Sequence, residues 1–337
     1  MPDRARLTPA IADVRRAVRD AFDLAQIAEG DLVLVAVSGG ADSLALAAAT
    51  AFESSRVGLR AGAVIVDHQM QPGSAEVAAK TAAVLSELGL SPVEIRTVKV
   101  GSDGGPENAA RVARYHALDE AAAEHDAKAV LLGHTLDDQA ETVLLGLARG
   151  SGAKSLNGMA THNGRLLRPL LGISRETTEA FCSDSGLTPW HDPMNKDERF
   201  ARVRVREKLM PALEAELGPG IADALARTAA TLREDDEVLA ELAEVAYKDV
   251  ALQRATEIEL SVTKFKNLPS AIRHRVVALA AGVLDAPMLG RVHILAIDDL
   301  VDNWHGQKPL TLPGIRVERT GDAIILKTTK TLKPGAC

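Results

Sequence analysis

Two glycines at the end of an apolar run are the first sign of chemistry in this sequence. The β-branched run Val33–Val37 stops at Ser38-Gly39-Gly40-Ala41-Asp42-Ser43, after which a helical pattern begins. A strand–helix turn with two glycines lets the backbone approach a ligand closely, and the N–H groups at a helix start attract phosphate. The loop lacks the lysine of the GxxxxGK[ST] type, but Asp42 offers a carboxylate for Mg²⁺. The alternative is an ordinary turn without a ligand.

A second polar group follows another apolar run. His134 stands directly after 129–133, and carboxylates follow at Asp137, Asp138 and Glu141. On a helix, residues three or four apart share a face, so Asp138 and Glu141 should lie together. Acids at a helix start can simply complement the helix dipole, but that does not explain a histidine at the strand end just before them. Metal ligation by His134 with these carboxylates is an alternative, although no second His or Cys stands at the spacing of a zinc site.

Two basic groups are candidates for binding phosphate. Arg111 and Arg114 lie in a helical pattern, and an arginine facing a nucleotide site would clamp phosphate or stabilise a developing negative charge. The segment 199–208 carries five basic residues and is the best candidate for contact with a nucleic-acid backbone. Either group could instead be solvated surface charge.

The elements around these groups predict a parallel sheet. Strands are expected at 33–37, 61–67, 93–98 and 129–133, with helices between them. This alternation is typical of βαβ units with right-handed crossovers. Because ligands bind at the carboxyl ends of parallel strands, Ser38, His68 and His134 should meet in one pocket. An amphipathic helix at 8–27, with Leu24 in its apolar stripe, should precede the sheet.

The whole chain is expected to be an α/β protein with two domains. Its fold class is a doubly wound parallel sheet followed by a smaller, mainly helical C-terminal domain with a few strands. The 337 residues fit two cores, and the Gly218-Pro219-Gly220 break separates domains at 1–215 and 216–337. In the second part, an acidic helix from 221 to about 247 precedes strands near 257–262, 315–318 and 323–327 and helices at 268–284 and 289–303.

The composition of the chain indicates which cellular compartment and which partners are expected. No apolar run approaches the length of a membrane span, and the first residues lack the apolar core of a signal peptide, so the cytoplasm is the expected compartment. Cys182 and Cys337 form neither a disulfide framework nor a CxxC motif. The net charge of −7 counts against a protein that coats DNA, but a local basic face is enough for a tRNA enzyme.

Motifs along residues 30–215 resemble, in order, those of the tRNA(Ile)-lysidine synthetase family. The loop 38–43 is similar to the SGGxDS loop of the PP-loop ATP pyrophosphatase superfamily, and the histidine motif at 133–142 is highly specific. The C-terminal part resembles the substrate-binding domain of the short family members by a weaker pattern. The remaining motifs are Val66-Asp67-His68, Asn108-x-x-Arg111-x-x-Arg114-Tyr115, Arg149-Gly150-Ser151-Gly152, Arg168-Pro169-Leu170-Leu171 and Asp192-Pro193-x-Asn195.

The resemblance implies a two-step reaction on a PP-loop, adenine nucleotide alpha hydrolase-like fold. ATP, with Mg²⁺, adenylates the C2 oxygen of the cytidine at the first anticodon position of the isoleucine tRNA with anticodon CAU. The ε-amine of free L-lysine then attacks C2 and displaces AMP, which gives lysidine. The C-terminal domain would bind tRNA.

The resemblance also implies roles for particular residues. Asp42 would hold magnesium, and Asp138 and Glu141 would hold the ammonium or the α-amine of lysine. His134 or a carboxylate would accept the ammonium proton. The implied catalytic residues are Asp42, Arg111, Arg114, His134, Asp138 and Glu141. The nucleotide site would be formed by Ala36, Val37, Ser38, Gly39, Gly40, Asp42, Ser43, Val66, His68 and Gly133.

Other functions are compatible with parts of this pattern. A sulfur-transferring PP-loop enzyme acting on tRNA would need paired cysteines, which Cys182 and Cys337 do not provide. An amidating ligase would leave the basic segment and the C-terminal module unexplained. A non-catalytic nucleotide-binding regulator would not need the second polar group around His134. A membrane partner is not expected; a homodimer is one assembly compatible with the sequence.

Overall fold

The computed structural model describes residues 7–69, 71, 73–99, 101, 105–150 and 152–329. Its first sheet consists of β1 (Leu32–Val37), β2 (Arg60–Asp67), β3 (Val93–Thr97), β4 (Ala129–Leu132), β5 (His162–Asn163) and β6 (Leu166–Leu167). The helices around it are α1 (Pro9–Leu24), α2 (Ala41–Arg56), α3 (Ser74–Glu87), α4 (Pro106–Glu124), α5 (Leu136–Arg149) and α6 (Arg175–Asp184).

The strand order places the predicted motifs at one point of the sheet. The order is β3-β2-β1-β4-β6-β5, and all neighbouring strands are parallel except the β5–β6 pair. The chain therefore runs outwards in one direction from β1 and in the other from β4. Open α/β sheets bind ligands at the carboxyl ends of the two strands where the order reverses. The predicted parallel, doubly wound sheet is confirmed.

Both faces of the central strand are buried, which explains its unbroken apolar sequence. Val33, Val35 and Val37 pack into a core with residues of α1, α2 and α6. The alternate residues Leu34 and Ala36 pack on the opposite face with residues of α4. The sheet is thus covered by helices on both sides and presents its strand ends to ligands.

Helix α1 confirms the predicted amphipathic helix except at its end. Thr8 caps it, because its Oγ1 accepts a hydrogen bond from the backbone N–H of Ile11 at 3.3 Å. Leu24 does not belong to the apolar stripe, since it is 56% exposed. It follows buried Phe22 by two residues, which is about 200° around a helix and places it on the opposite face.

The basic segment forms an interrupted helix. It begins as α7 (Ala201–Arg204), passes through a single π-helical stretch at Val205–Leu209, and continues as α8 (Met210–Leu217). Such π-helical stretches occur often at functional sites because they change the direction of nearby side chains.

The described chain divides into two compact units. One comprises residues up to 149 together with 158–229; the other comprises 150–157 together with the residues from 230 onward. Segment 150–157 is held in the second unit by Asn157, whose Nδ2 donates to Asp236 Oδ2 at 3.0 Å, and Arg275 pairs with the same carboxylate. Arg233 donates to the backbone oxygen of Asn157.

The second unit is built on an antiparallel sheet with the order β7-β8-β11-β10-β9. The strands are β7 (Ala251–Gln253), β8 (Glu257–Ser261), β9 (Leu310–Leu312), β10 (Ile315–Thr320) and β11 (Ala323–Thr328), and the helices are α9 (Ile221–Val250), α10 (Val262–Lys266), α11 (Ser270–Val283) and α12 (Arg291–Asp302). The helices and strands predicted here are confirmed. Among the described helices, none combines the length and apolar character that crossing a bilayer requires.

Candidate active site

The glycine loop is an ordered turn between β1 and α2. Ser43 Oγ accepts a hydrogen bond from the backbone N–H of Ser38 at 3.2 Å and donates to the backbone oxygen of Gly40 at 2.9 Å. No described residue accepts a hydrogen bond from the N–H groups of Gly39 and Gly40. These donors, at the positive end of α2, are therefore available to a phosphate.

The two glycines serve different purposes. Gly39 adopts φ +87°, and a Cβ there would lie 2.9 Å from Thr81 Oγ1, so this position needs glycine for the turn itself. Gly40 has φ −72°, and a Cβ there would meet only Ser38 Oγ at 3.7 Å. The protein can therefore accommodate a side chain at Gly40, beside the unpaired N–H groups of the loop.

A glycine also brings the end of β4 against this loop. A Cβ on Gly133 would lie 3.2 Å from the carbonyl carbon and oxygen of Asp42 and from Ser43 Cα. The backbone that leads to His134 therefore approaches the start of α2 very closely. Of the other predicted nucleotide-site residues, Ala36 and Val37 are buried strand-end positions of β1, and Val66 lies near the end of β2.

Three nitrogen-bearing side chains meet where β2, β4 and α4 approach each other. His68 Nδ1 and His134 Nδ1 are buried and have no hydrogen-bond partner among the described residues. Burial lowers the pKa of His68, and the positive charge of Arg114 lowers it further. Burial likewise lowers the pKa of Arg114. Unpaired buried polar atoms are costly, so the two histidine nitrogens are candidates for a hydrogen bond with a ligand.

His134 is neutral at physiological pH. Burial lowers its pKa to about 3; Arg114 and Arg168 act in the same direction, and Asp138 opposes them. A base this weak would hold almost no proton taken from an amine at neutral pH. His134 is therefore better suited to hydrogen-bonding a ligand than to accepting a proton.

The buried histidine makes stability depend on pH. Its folded pKa of about 3 lies below the unfolded value, so between these values the unfolded chain binds more protons. Stability should therefore fall as the pH drops from about 6.5 towards 3. Between pH 7 and pH 5 we expect the wild type to lose about 2 kcal/mol more than His134→Gln, measured by urea unfolding. His162→Gln, at an exposed histidine, is the matched control; equal pH dependence in wild type and His134→Gln would contradict the expectation.

Asp42 is an acid with too little positive charge around it. Burial raises its pKa to about 6, although Thr178 Oγ1 donates a hydrogen bond to it and Arg175 Nε lies 3.8 Å from its Oδ2. Burial destabilises the charged form of Asp42 more than Thr178 and Arg175 stabilise it. The carboxylate would therefore gain from a further cation.

The two carboxylates of α5 lie together, as predicted, but in different surroundings. Asp138 Oδ2 accepts the Thr135 backbone N–H at 2.9 Å and thereby fixes the start of the helix. Burial alone would raise the pKa of Asp138, but nearby arginines and the Thr135 hydrogen bond bring it below its ordinary value. The side chain of Glu141 is only 2% exposed and has both oxygens in short ion pairs, with Arg202 Nε and Arg206 Nε at 2.7 Å.

One guanidinium joins the glycine loop to these carboxylates. Arg175 lies at the start of α6, with Nη2 3.5 Å from Asp138 Oδ1 and 3.6 Å from Glu141 Oε1, while its Nε faces Asp42. Its backbone N–H donates to Asp137 Oδ2 at 2.8 Å. The first turns of α2, α5 and α6 therefore converge on one site.

The basic segment has two faces, which neither sequence interpretation anticipated. Arg202 and Arg206 point inwards onto Glu141, and Arg202 Nη2 also donates to the backbone oxygen of Asp138 at 3.0 Å. Treating all five basic residues as one solvent-facing surface is therefore wrong for this pair. Arg199, Arg204 and Lys208 are exposed, and Arg199 and Lys208 pair with surface acids.

Arg111 and Arg114 do not occupy equivalent positions. Arg114 is half-buried and close enough to His68 and His134 to lower the pKa of both. Arg111 is exposed, and its guanidinium lies 4.9 Å from the ring centre of Tyr115. Of the two predicted arginines, the structure brings only Arg114 among the other site residues.

The sequence did not lead us to predict Arg175, Arg202 and Arg206 as site residues, although the position of each in its helix indicates an acidic partner. Arginine in the first turn of a helix opposes the helix dipole, which suggests that carboxylates hold Arg175. Arg202 and Arg206 are four residues apart, so they share a helix face on which two arginines would repel each other without acids.

Comparisons with known proteins show the family of this chain. A PP-loop domain family matches residues 13–213, and a TilS substrate binding domain family matches residues 260–323. The tRNA(Ile)-lysidine synthase of Leifsonia xyli subsp. xyli (strain CTCB07) is 56% identical, covering 87% of this chain and 89% of the relative. The tRNA(Ile)-lysidine synthase of Thermobifida fusca (strain YX) is 52% identical, covering 94% of this chain and 97% of the relative.

A solved structure supports the fold alone. The U34-tRNA thiolase NcsA from Methanococcus maripaludis, solved with its [4Fe-4S] cluster, has a TM-score of 0.55 at 20% identity, covering 67% of this chain and 79% of that chain. The two tRNA(Ile)-lysidine synthases match this chain over both units, so they support a family assignment and not only a fold. The chain belongs to the tRNA(Ile)-lysidine synthase family of ATP-dependent PP-loop enzymes.

Proposed function

We propose that this protein uses ATP to join free L-lysine to C2 of the cytidine at the first anticodon position of tRNA(Ile) with anticodon CAU. The products are lysidine, AMP and pyrophosphate. The observation that carries this proposal is that Arg175 lies close to carboxylates from two places. These are Asp42 of the glycine loop, and Asp138 and Glu141 of α5. The loop that we assign to the nucleotide and the acids that we assign to lysine thus lie around one residue, as a ligase with an adenylated intermediate requires.

In the first step, the cytidine O2 attacks the α-phosphorus of ATP, and the bond to pyrophosphate breaks. The free N–H groups of Gly39 and Gly40, with the hydroxyls of Ser38 and Ser43, bind the departing pyrophosphate. Arg114 stabilises the negative charge that develops during transfer. Arg111, at the exposed end of the same face, is assigned to the part of the substrates that remains near solvent.

Asp42 is the residue that we propose for Mg²⁺. Burial raises the pKa of its carboxylate, and oxygen ligands suit this ion, which commonly binds through one or two carboxylates and substrate phosphates. When bound, the ion would neutralise phosphate charge. Thr178 orients the carboxylate by its hydrogen bond.

In the second step, the lysine ε-nitrogen attacks C2, the C2–O bond breaks, and AMP leaves with that oxygen. The ε-amine has a pKa of about 10.4, so lysine arrives as an ammonium and must lose protons. Asp138 Oδ1 is the favoured counter-ion because its arginine partners lie at 3.5 Å or more, whereas both oxygens of Glu141 are engaged at 2.7 Å. His134 and Asp138 are both weak bases, since burial lowers the pKa of His134 to about 3 and the nearby arginines bring that of Asp138 below its ordinary value, so basicity favours neither of them as the proton acceptor.

Transfer of label from ATP and lysine to tRNA tests this function. The full chain is incubated with ATP, radiolabelled lysine and total tRNA, and the nucleosides are analysed. Labelled lysidine is the expected product, and a sulfur-containing nucleoside would favour the PP-loop thiolases instead. ATP–pyrophosphate exchange, measured with and without tRNA, separates any enzyme from a nucleotide-binding regulator, which would show none.

We assign catalysis to residues 1–215 and tRNA binding mainly to 216–337, with help from the exposed face of the basic segment. The family match at 260–323 supports the second assignment. We place the reaction in the cytoplasm, where its three substrates occur. A homodimer stays a prediction, which light scattering of the full chain would test.

The exposed face of the basic segment should contact RNA phosphate. Replacing Arg199, Arg204 and Lys208 by Gln should weaken tRNA binding and reduce its salt dependence by about one unit of log–log slope per lost contact. ATP affinity should not change, since these side chains point away from the site. Arg16→Gln, at an exposed arginine of α1, is the matched control; an unchanged slope in the triple variant would place the contact elsewhere.

A further inference from the structure

An exposed tryptophan stands on the second unit. This chain has only nine aromatic residues, and in the described part of this unit the others, Tyr247 and Phe265, are half-buried and buried. Trp304, in the turn after α12, is 41% exposed. An indole in such a position loses the burial that normally accompanies its large apolar surface, so a partner for its free face is expected.

The ring is supported from beneath by an arginine. The Arg319 guanidinium carbon lies 4.8 Å from the ring centre of Trp304. Arg319 is itself fixed, because its Nη1 donates to the backbone oxygens of Leu300 at 2.7 Å and Val301 at 3.1 Å at the end of α12. A cation over the ring restrains it, and the exposed part of the side chain remains accessible to a ligand.

Hydrogen bonds of the turn that carries Trp304 fix its conformation. Asn303 Nδ2 donates to Asp299 Oδ1 at 2.6 Å, and Gln307 Nε2 donates to the backbone oxygen of Asn303 at 2.9 Å. The backbone N–H of His305 donates to Gln307 Oε1 at 2.8 Å. A ligand would therefore meet a pre-ordered ring and lose little entropy in fixing it.

The charges nearby favour a polyanion with a flat, aromatic group. Arg319 lies over the ring, the exposed Lys308 follows Trp304 by four residues, and His305 is its direct neighbour in sequence. The acid nearest in sequence, Asp302, is already paired with Arg273 at 2.9 Å. Positive charge beside an exposed aromatic ring is the arrangement by which proteins stack unpaired bases of RNA.

We propose that Trp304 is a stacking platform for an unpaired nucleobase of the tRNA substrate, with Arg319 holding the indole and Lys308 meeting the adjoining phosphate. The proposal rests on the tRNA-modifying function proposed above. The base would lie on the open face of the indole and extend the Arg319–Trp304 stack by one layer. Because bases of every kind have a flat aromatic face, this contact would add affinity without reading sequence.

Binding of unmodified tRNA(Ile) with anticodon CAU to the full chain tests the platform. Trp304→Ala should weaken binding about tenfold, while Trp304→Phe should keep most of the affinity because a ring remains. Tryptophan fluorescence should fall on tRNA addition to the wild type, and that component should disappear in Trp304→Phe. Since no charge is removed, the salt slope should be the same in both variants. Leu252→Ala, at another exposed apolar residue of this unit, should bind like the wild type.

Three results would overturn the platform. Equal affinity of Trp304→Ala and wild type, with lysidine still formed, would reject the platform and leave the proposed function intact. A Trp304→Ala variant that changes its oligomeric state in gel filtration but keeps its tRNA affinity would assign the ring to a protein contact. Wild type that neither binds tRNA nor forms lysidine would reject both proposals together.

Discussion

A folded Gly40→Val variant is expected to release pyrophosphate from ATP at least about a thousandfold more slowly than the wild type. The reason is local. The space around Gly40 is open except for Ser38 Oγ, so the new side chain fits the protein but occupies the cradle where phosphate must meet the backbone N–H groups. Substituting the helix cap should cost only about 1 kcal/mol of stability. Pyrophosphate release and thermal unfolding measure the two effects separately.

Two other glycines control this experiment. Gly172→Val, in open space on the same unit, should leave both activity and stability near wild type. Gly39→Ala should instead lower the melting temperature, because the residue has φ +87° and its Cβ would collide with Thr81. Near-normal pyrophosphate release by folded Gly40→Val would refute the phosphate-binding role of the loop.

Asp138→Asn should separate the two half-reactions. The amide oxygen of Asn can still accept the Thr135 N–H and preserve the start of α5, while the anionic oxygen proposed for lysine is lost. Adenylated tRNA should then form but take up lysine poorly, and the Michaelis constant for lysine should rise roughly 10- to 100-fold. Transfer of label from α-³²P-ATP to tRNA follows the first step; uptake of labelled lysine follows the second.

Glu141→Gln should behave differently, although the sequence suggested the same role for both acids. Removing its charge leaves Arg202 and Arg206 facing a neutral amide in a buried position, which should cost about 3–5 kcal/mol of stability. Asp119→Asn, at an exposed acid of α4, is the control for both variants. Loss of adenylation with normal lysine dependence in Asp138→Asn would assign this carboxylate to the ATP–magnesium site instead.

The sheet and its strand-end residues were predictable because their signals are local. The buried strands read as apolar runs, and parallel topology then places Ser38, His68 and His134 at one edge without further information. The hairpin β5–β6 escaped prediction because each strand has two residues, which is too short for any periodicity. Leu24 was wrongly assigned to the apolar stripe because it is an apolar residue near the helix end. Its angular position around the helix axis places it on the opposite face.

The arginines around Glu141 could not be placed by periodicity alone. Whether a basic helix face points to solvent or to buried acids depends on which elements pack together, and that contact joins residues about sixty positions apart. Likewise, the unequal surroundings of Asp138 and Glu141 arise from α6 and the basic segment, not from α5 itself. Residue types were therefore predictable at this site, whereas their charge partners were not.

Segment 150–157 belongs to the second unit although it lies within the sequence of the first, and this limits how the gene can recombine. The chain passes between its two units at 149/150, 157/158 and 229/230, and Asn157 bonds to Asp236 within the second unit. A gene fragment that begins at residue 230 therefore encodes that unit without one of its own pieces. Recombination at a single junction would transfer an incomplete body, so the two units are expected to be gained, lost and exchanged as one hereditary block.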